Sequence, residues 1–315
     1  MIHIFKAIIL LFIFSFVVAI SGYFYVKSYL QETISVPQKV FIPKGSTKSA
    51  MKALQKSGID LGDYDYQLVK LIGYPQAGWI DLGKTSMKRS EFLVRITKSK
   101  SAQSSLTLIP GETKEIFFKQ LEKKFDLNVT KLHTFYDEIA PYPDGVILAE
   151  TYNIQKGIKE KDLIVYLVEK SLKEHKSIAM ELLKKYDEKE WFENYITKAS
   201  IITKEAANVK EMPLVSAVIS NRLKKGMPLQ MDGTLNYKHQ SHTKITPKMI
   251  KEDNSKFNTY KHKGLPPHPI CSVTKDAISA AVNPAHVKYL YFVRTKKGEH
   301  TFSNSYKEHL THIKR

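Results

Sequence analysis

The chain has 315 residues, of which 43% are hydrophobic and 25% charged, so its composition is that of a globular protein longer than one average domain. Its formal net charge of +18 comes mostly from lysines dispersed over the whole length. Without an arginine-rich stripe or a nucleic-acid motif, this pattern argues against nucleic-acid binding and favours an anionic polymer or surface as neighbour. The single cysteine, Cys271, excludes an intramolecular disulfide.

An apolar segment comes first along the chain. No charged residue occurs between Ala7 and Tyr25, and a run of that length can span a bilayer. A cleaved signal peptide is the alternative, because Ala19–Ser21 offers small residues to a peptidase. The length of the run favours an uncleaved anchor. Residues 1–27 are therefore predicted to form a cytoplasmic tail and a transmembrane helix, with everything from about Ser28 onward on the other side.

One pattern then occurs twice. Val40–Lys48 and Leu106–Lys114 each predict a strand, a Pro/Gly turn and a Ser or Thr helix cap, and each leads into an amphipathic helix. These repeats predict two small α/β units, at residues 28–100 and 101–145, with residues 98–105 as a linker. Units of this kind bind glycans in some proteins and only space domains in others.

Residues 146–315 are predicted to form a mixed domain. Its periodicity indicates four helices, at Glu160–Lys176, Ala179–Tyr186, Glu190–Val209 and Pro213–Lys224. A shorter helix is predicted at Ala277–Val282, followed by a hairpin that joins Tyr289–Arg294 to His300–Phe302.

Glu205 is the most informative residue of this domain. It is an acidic residue within the small and apolar run Ala199–Ala207, where a helix would place it between Ile201 and Ile202. Partial desolvation there would raise its pKa, as a general acid near neutral pH requires. A solvated position at the edge of the apolar stripe is the alternative, and periodicity alone favours it.

Polar and aromatic residues cluster in the turn-rich segment that follows. Rings that stack on sugar faces, with amide and carboxylate groups that reach hydroxyls, would suit a saccharide groove; for each residue alone, a capped turn or a buried tyrosine is the alternative. The histidines form no HExxH or tight ligand pattern, so neither a metal site nor a cofactor is predicted. The cluster comprises Gln230, Asp232, Thr234, Asn236, Tyr237, Asn258, Thr259 and Tyr260.

The order and spacing of several blocks resemble the endolytic murein transglycosylase family, the YceG-like proteins. The resemblance rests on Ala199–Glu205, Ile219–Leu223, Met227–Thr234 with Tyr237, Asn258–Tyr260, Gly264–Pro267, Asn283–Pro284, Tyr289–Val293 and His300–Phe302. Four places depart from the family pattern: Thr203 replaces an acidic residue, Gly233 a proline and His268 a glycine, and Ser272–Thr274 lies where an Asn-Pro-Gly turn is more usual. These changes affect the expected shape of the loops and leave the expected chemistry unchanged.

The resemblance implies an α+β protein with an N-terminal membrane anchor, LysM-like small units and a catalytic domain outside the plasma membrane. It makes Glu205 the catalytic acid and base, and it places Gln230, Asp232, Thr234, Tyr237, Asn258 and Tyr260 along a glycan cleft. The implied reaction cleaves the bond between N-acetylmuramic acid and N-acetylglucosamine of nascent peptidoglycan and leaves 1,6-anhydromuramoyl ends. Cell-wall synthases, the penicillin-binding proteins, are the implied partners.

Two other functions remain open on the sequence. A muramidase that uses Glu205 with Asp232 as second carboxylate would leave reducing ends. A non-catalytic peptidoglycan-binding assembly factor would bind the wall without cutting it.

Overall fold

The computed structural model describes residues 2–43, 45–98, 103–237 and 241–313. Helices and short paired strands are mixed along the chain, which confirms the predicted α+β class. The chain divides into two compact units: residues 1–104 with 153–158, and residues 105–152 with 159–315. Of the predicted linker, residues 99–102 lie outside the described part of the chain, and Gln103–Thr107 forms a strand.

The first element is helix α1, Ile2–Gln31, which is 30 residues long. At 1.5 Å per residue this helix is about 45 Å long. Its segment Ile9–Gln31 is long and apolar enough to cross a membrane, and its described side chains are largely exposed.

The first unit combines four short strands with three helices beyond α1. Strand β1 (Thr33–Ser35) pairs antiparallel with β4 (Ser86–Lys88), and β2 (Lys39–Ile42) pairs with β3 (Gly78–Asp81). Alternate residues of β2 are buried, as one covered sheet face requires. The helices are α2 (Thr47–Lys56), α3 (Asp63–Ile72) and α4 (Arg89–Lys98).

The predicted strand, turn and capped helix are confirmed in this unit. The Ser46 hydroxyl accepts a hydrogen bond from the Ser49 N–H and caps α2. Leu54, Ile80 and Phe92 are fully buried in the core between these elements. The likeness to LysM units stays a prediction.

A buried ion pair joins the end of α1 to the rest of the first unit. The Arg89 guanidinium lies 2.8 Å from the Asp65 carboxylate, and both side chains are almost fully buried. Tyr29, near the end of α1, donates its hydroxyl to the same carboxylate at 2.7 Å, and the Arg89 guanidinium lies over the Tyr29 ring. One carboxylate therefore holds α1, α3 and α4 together.

The second copy of the predicted pattern comes next along the chain. Strand β5 (Gln103–Thr107) pairs with β6 (Thr151–Gln155), and helices α5 (Lys114–Phe125) and α6 (Val129–Ile139) lie between them in sequence. Phe117, Phe118 and Leu121 of α5 are fully buried, so the amphipathic face predicted for this helix is its core face.

Two predicted helices form one in the structure. Helix α7 runs without a break over Glu160–Leu183, where a boundary was expected near Ser177. Ile178 and Ala179 are buried, and this burial stabilises the helix beyond the expected boundary. Ser177 itself does not break a helix.

The predicted helix Glu190–Val209 starts within two residues of the observed one but is wrong at its C-terminal end, and it contains a π-helical turn. A short α8 (Glu188–Glu190) leads into a wider π-helical turn, Trp191–Ile196, and then into α9 (Thr197–Glu205). The Thr197 N–H and hydroxyl both bond to the Phe192 carbonyl, five residues back, which fits the wider turn. Glu205 is consequently the last residue of α9.

The remaining elements follow α9 along the chain. Helix α10 (Met212–Lys224) and helix α13 (Lys275–Val282) agree with the prediction to within two residues, and strands β7 (Tyr291–Arg294) and β8 (His300–Ser303) form the predicted hairpin. The short helices are α11 (Asp232–Leu235), α12 (Pro247–Glu252) and α14 (Tyr306–Ile313). Of these helices, α10, α11 and α13 contact α9.

Candidate active site

Glu205 occupies the last position of α9 because the chain turns away directly after it. Ala206 is extended, with φ −73° and ψ 133°. The Glu211 carboxylate holds the following turn, accepting the Ala207 N–H at 3.2 Å and a bond from the His300 ring at 2.7 Å. Sequence reasoning did not identify Glu211, whose partner His300 lies 89 residues away.

The Glu205 carboxylate accepts a hydrogen bond from a backbone group. The Gly233 N–H donates to Oε1 of Glu205 at 2.8 Å. A Cβ at position 233 would lie 2.6 Å from Cβ of Lys204 and 2.9 Å from Oε1 of Glu205, so only glycine allows this approach. Proline, expected here from the resemblance, would also lack the N–H.

Burial raises the pKa of Glu205 to about 7, even though the Gly233 N–H lowers it, and the nearby Asp232 carboxylate raises it further. By surface area the residue is only half-buried, so part of the side chain remains accessible. Its place at the negative end of α9 also disfavours the charged form. Glu205 can thus hold a proton near neutral pH and also release it.

Two segments form the wall beside Glu205. The Gln230 N–H donates to the Thr259 carbonyl at 3.0 Å, and the Met231 N–H donates to the Thr259 hydroxyl at 3.1 Å. The Tyr260 hydroxyl donates to the Asp232 carboxylate at 2.7 Å. Residues 230–234 and 258–260 are therefore joined by backbone and side-chain bonds.

The predicted cleft residues differ in what their side chains do. Gln230 and Asp232 are exposed and Tyr260 is half-buried, so all three are open to a ligand. Thr234 and Asn258 are fully buried.

The two buried side chains hold the loops instead of facing solvent. The Asn258 amide donates to the carbonyls of Ile250 and Asp253, and its oxygen accepts the Tyr260 N–H. The Thr234 hydroxyl donates to the Met231 carbonyl. Tyr237 is buried and donates to Asp144 at 3.1 Å, so the structure brings it to a different set of residues.

Arg222 was not predicted, yet it supports the wall from behind. It donates to the carbonyls of Leu290 and Leu229, and its guanidinium lies 5.1 Å from the Tyr291 ring centre. Gln230, next to Leu229, has a φ of +51°, a backbone conformation that non-glycine residues seldom adopt. The bond to the Leu229 carbonyl holds the backbone directly before this strained residue.

Among residues 2–43, 45–98, 103–237 and 241–313, no group of three or more His, Cys, Asp or Glu side chains could hold a metal ion. The arrangement at Glu205 instead offers one protonatable carboxyl group, one backbone donor and a polar wall. Such a set can protonate a leaving oxygen and then accept a proton from a hydroxyl.

The fold resembles a solved structure. A crystal structure of a YceG-like protein from Listeria monocytogenes matches with a TM-score of 0.59 at 24% identity, covering 89% of this chain and 98% of that one. At this identity the match establishes the fold alone.

Curated relatives match most of the sequence. An endolytic murein transglycosylase from Bacillus subtilis is 29% identical over 307 residues, with 85% of this chain and 81% of the relative covered. One from Streptococcus pneumoniae is 26% identical over 274 residues, covering 84% of this chain but only 47% of the relative. A model of the YceG-like family matches residues 40–315, and the chain therefore belongs to the YceG-like family.

Proposed function

We propose that the protein is a peptidoglycan lytic transglycosylase that cleaves glycan strands internally, with Glu205 acting first as acid and then as base. The observation that carries the proposal is this carboxyl group, half-buried beside the Gly233 N–H, with a pKa raised by burial to about 7. Membership of the YceG-like family and the names of the relatives support the same activity.

The first half-reaction uses protonated Glu205. It donates its proton to the glycosidic oxygen as the bond between that oxygen and muramoyl C1 breaks. The 2-acetamido oxygen of the same sugar bonds to C1 and takes the place of a protein nucleophile, as in other substrate-assisted glycosidases. The product of this step is a cyclic cation held beside the Glu205 carboxylate.

The second half-reaction uses the carboxylate. It removes the proton from the muramoyl C6 hydroxyl, O6 bonds to C1, and the acetamido oxygen leaves C1. Glu205 is protonated again, the sugar ends as a 1,6-anhydro ring, and no water is consumed. The partial burial of Glu205 serves both steps, because a pKa near neutrality makes the group an adequate acid and an adequate base.

Product analysis tests the proposal. The full chain in detergent micelles is incubated with uncross-linked glycan strands, and the products are identified by mass spectrometry. Ends with the anhydromuramoyl mass, one water lighter than reducing ends, are expected. Glu205→Gln should remove them, and Glu299→Gln, at an exposed position of the hairpin loop, should not.

Two other outcomes would reject the proposal. Reducing ends would identify a muramidase with Asp232 as second carboxylate. Binding to sacculi without any cleavage would identify an assembly factor.

The proposal extends to location and partners. The apolar helix α1 anchors the protein in the plasma membrane by a single span, with both folded units outside the cytoplasm, where nascent strands are made. Cell-wall synthases are the partners expected beside it, because they produce the uncross-linked strands that this reaction would cut.

A further inference from the structure

The second unit has a surface cavity of about 600 Å³ away from the Glu205 carboxylate. Two of its walls are aromatic rings in fixed positions. The Tyr142 ring stacks on Phe192 with centroids 4.9 Å apart, and the Tyr237 ring packs against Phe257, also at 4.9 Å. Both rings of the lining are therefore held in place by other rings.

The polar residues that line the cavity carry an excess of carboxylates. Glu115 and Asp137 face one lysine, Lys114, which is already paired with Asp137 and lies over the Tyr136 ring. Burial, and the charge of Lys114, lower the pKa of His133, so its ring is neutral at neutral pH.

Glu115 forms no ion pair with any residue that the structure describes. Its Oε2 atom is buried and has no hydrogen-bond partner among the described residues. A buried acceptor without a partner is costly, and a cation held in the cavity beside the same carboxylate offsets part of that cost.

A second carboxyl group lies directly behind the cavity. Asp144 is 2% exposed and accepts bonds from the Lys114 N–H and the Tyr237 hydroxyl. Burial raises the pKa of Asp144 to about 8, and the charge of Glu115 contributes to the shift. Asp144 and Glu115 thus lie near one cation, Lys114, which is already paired with Asp137.

We propose that this cavity binds a primary ammonium group, and that the ammonium belongs to the diamino acid of a peptidoglycan stem peptide. Glu115 accepts its hydrogen bonds, and the rings of Tyr142 and Tyr237 pack against the methylene groups and the charge, as aromatic rings do around cations. The proposal rests on the proposed function, since it adds the peptide portion of the same substrate to the glycan portion at Glu205.

The chain limits how far apart the two places are. Gly233, which bonds Glu205, and Tyr237, which lines the cavity, are four residues apart, so their Cα atoms are separated by at most about 14 Å. A stem peptide leaves the lactyl group of the muramoyl sugar, and its diamino acid is the third residue. Three extended residues cover about 10 Å before the side chain adds its own length.

Binding of free peptides tests the proposal without requiring turnover. Full-length protein in micelles is titrated calorimetrically with a lysine-containing stem pentapeptide and with the same peptide acetylated on the lysine Nε. The free amine should bind about tenfold or more tightly than the acetylated form. Glu115→Gln should remove this difference, whereas Glu122→Gln, exposed on the same helix, should keep it.

Equal binding of the two peptides, or an unchanged preference in a folded Glu115→Gln variant, would overturn the proposal. So would lysine methyl ester binding as tightly as the pentapeptide, because the stem would then not be the ligand. Folding of each variant is checked by its thermal unfolding. Failure of the proposed function is seen separately, as an absence of anhydromuramoyl ends from glycan strands with or without stem peptides.

A kinetic measurement adds a second readout. Strands that carry stem peptides should have a lower KM than strands stripped of them by an amidase. Glu115→Gln should raise KM for the peptide-bearing strands to the value for stripped strands and leave kcat unchanged.

Discussion

Glu205 is subject to opposing influences on its pKa, and each comes from an identifiable group. Burial and the Asp232 carboxylate raise the pKa, and the Gly233 N–H lowers it. A pKa of about 7 is the balance between them. Changing one of these groups should therefore move the pH dependence of the reaction in a direction that can be stated in advance.

In the proposed mechanism, the free enzyme must carry the proton on Glu205 for the first half-reaction. We expect kcat/KM to fall about tenfold per pH unit above the pKa of about 7. Asp232→Asn removes a negative charge that raises this pKa, so the descending limb should move to lower pH while turnover remains. Rates measured from pH 5 to 9 check both expectations.

Asp276→Asn, an exposed change on α13, is the control and should leave the pH profile in place. Loss of all activity in Asp232→Asn would instead support a second catalytic carboxylate. A rate that rises through pH 7 would contradict the role of Glu205 as the initial acid.

The raised pKa of Glu205 also predicts a cost in stability. The folded state binds the proton more tightly than the unfolded state, so stability is lost as pH rises from about 4.5 to about 7. Glu205→Gln removes the ionisation. The variant should gain up to roughly 3 kcal/mol over the wild type at pH 8 and almost nothing at pH 4.

Denaturant unfolding of both proteins at the two pH values measures this difference. If the difference in stability between variant and wild type is the same at both pH values, the desolvation of Glu205 is contradicted. A gain in stability together with a loss of cleavage is typical of a residue kept for function.

Substitution of Gly233 by a residue only one methyl group larger should strongly disturb the site. Gly233→Ala places a Cβ 2.9 Å from Oε1 of Glu205 and 2.6 Å from Cβ of Lys204, so the carboxylate or the helix must shift. We expect kcat to fall by about tenfold to a hundredfold, since a displacement of about 1 Å has effects of this size. Steady-state kinetics and thermal unfolding, measured together, distinguish this from loss of folding; an active Gly233→Ala protein would contradict the close approach.

At the level of elements, the Asp65–Arg89 pair should dominate the stability of the first unit. Asp65→Ala removes the buried partner of Arg89, leaves it the exposed carboxylates of Glu32 and Asp60, and frees the Tyr29 hydroxyl. This change should cost up to about 3–5 kcal/mol. Glu91→Ala removes exposed pairs with Lys84 and Arg95 and should cost less than about 1 kcal/mol. Denaturant unfolding in micelles compares the two variants, and equal costs would contradict the structural role of the buried pair.

The elements that were predicted correctly are those that local signals define. Helix α10 has a proline in its first turn and Gly226 just after its end, and the β7–β8 hairpin has strong strand formers on both sides of a turn. Helix α9 was predicted to continue past Glu205 because Ala206 and Ala207 favour helix. Its end is set by bonds from Glu211 and His300, which are distant in sequence from each other.

The candidate site was predictable in part for the same reason. Glu205 is evident as a carboxylate in an apolar run, but its hydrogen-bond donor is a backbone N–H, which no side-chain pattern reveals. Asn258 and Thr234 have residue types suited to sugars, yet both are buried and bonded to the backbone. Sequence cannot separate such roles, because the same groups stabilise turns.

For the whole molecule, the position relative to the membrane can be tested with engineered cysteines. Cys271 is fully buried, so the natural chain should not react with an impermeant maleimide. Lys39→Cys and Lys307→Cys place a thiol on an exposed position of each unit. Both should be labelled in intact cells with the cell wall in place, and labelling only after membrane permeabilisation would contradict an extracytoplasmic location.

Helix α1 enters the first unit without a break, and its Tyr29 is bonded there to Asp65. In the proposed orientation about 20 of its residues cross the hydrocarbon core. The anchor is then a rigid support and not a flexible tether, so the first unit samples only a shallow layer of space next to the bilayer. The effective concentration of wall strands that the first unit meets is the concentration in that layer, where strands are newest. A longer, flexible linker would dilute it.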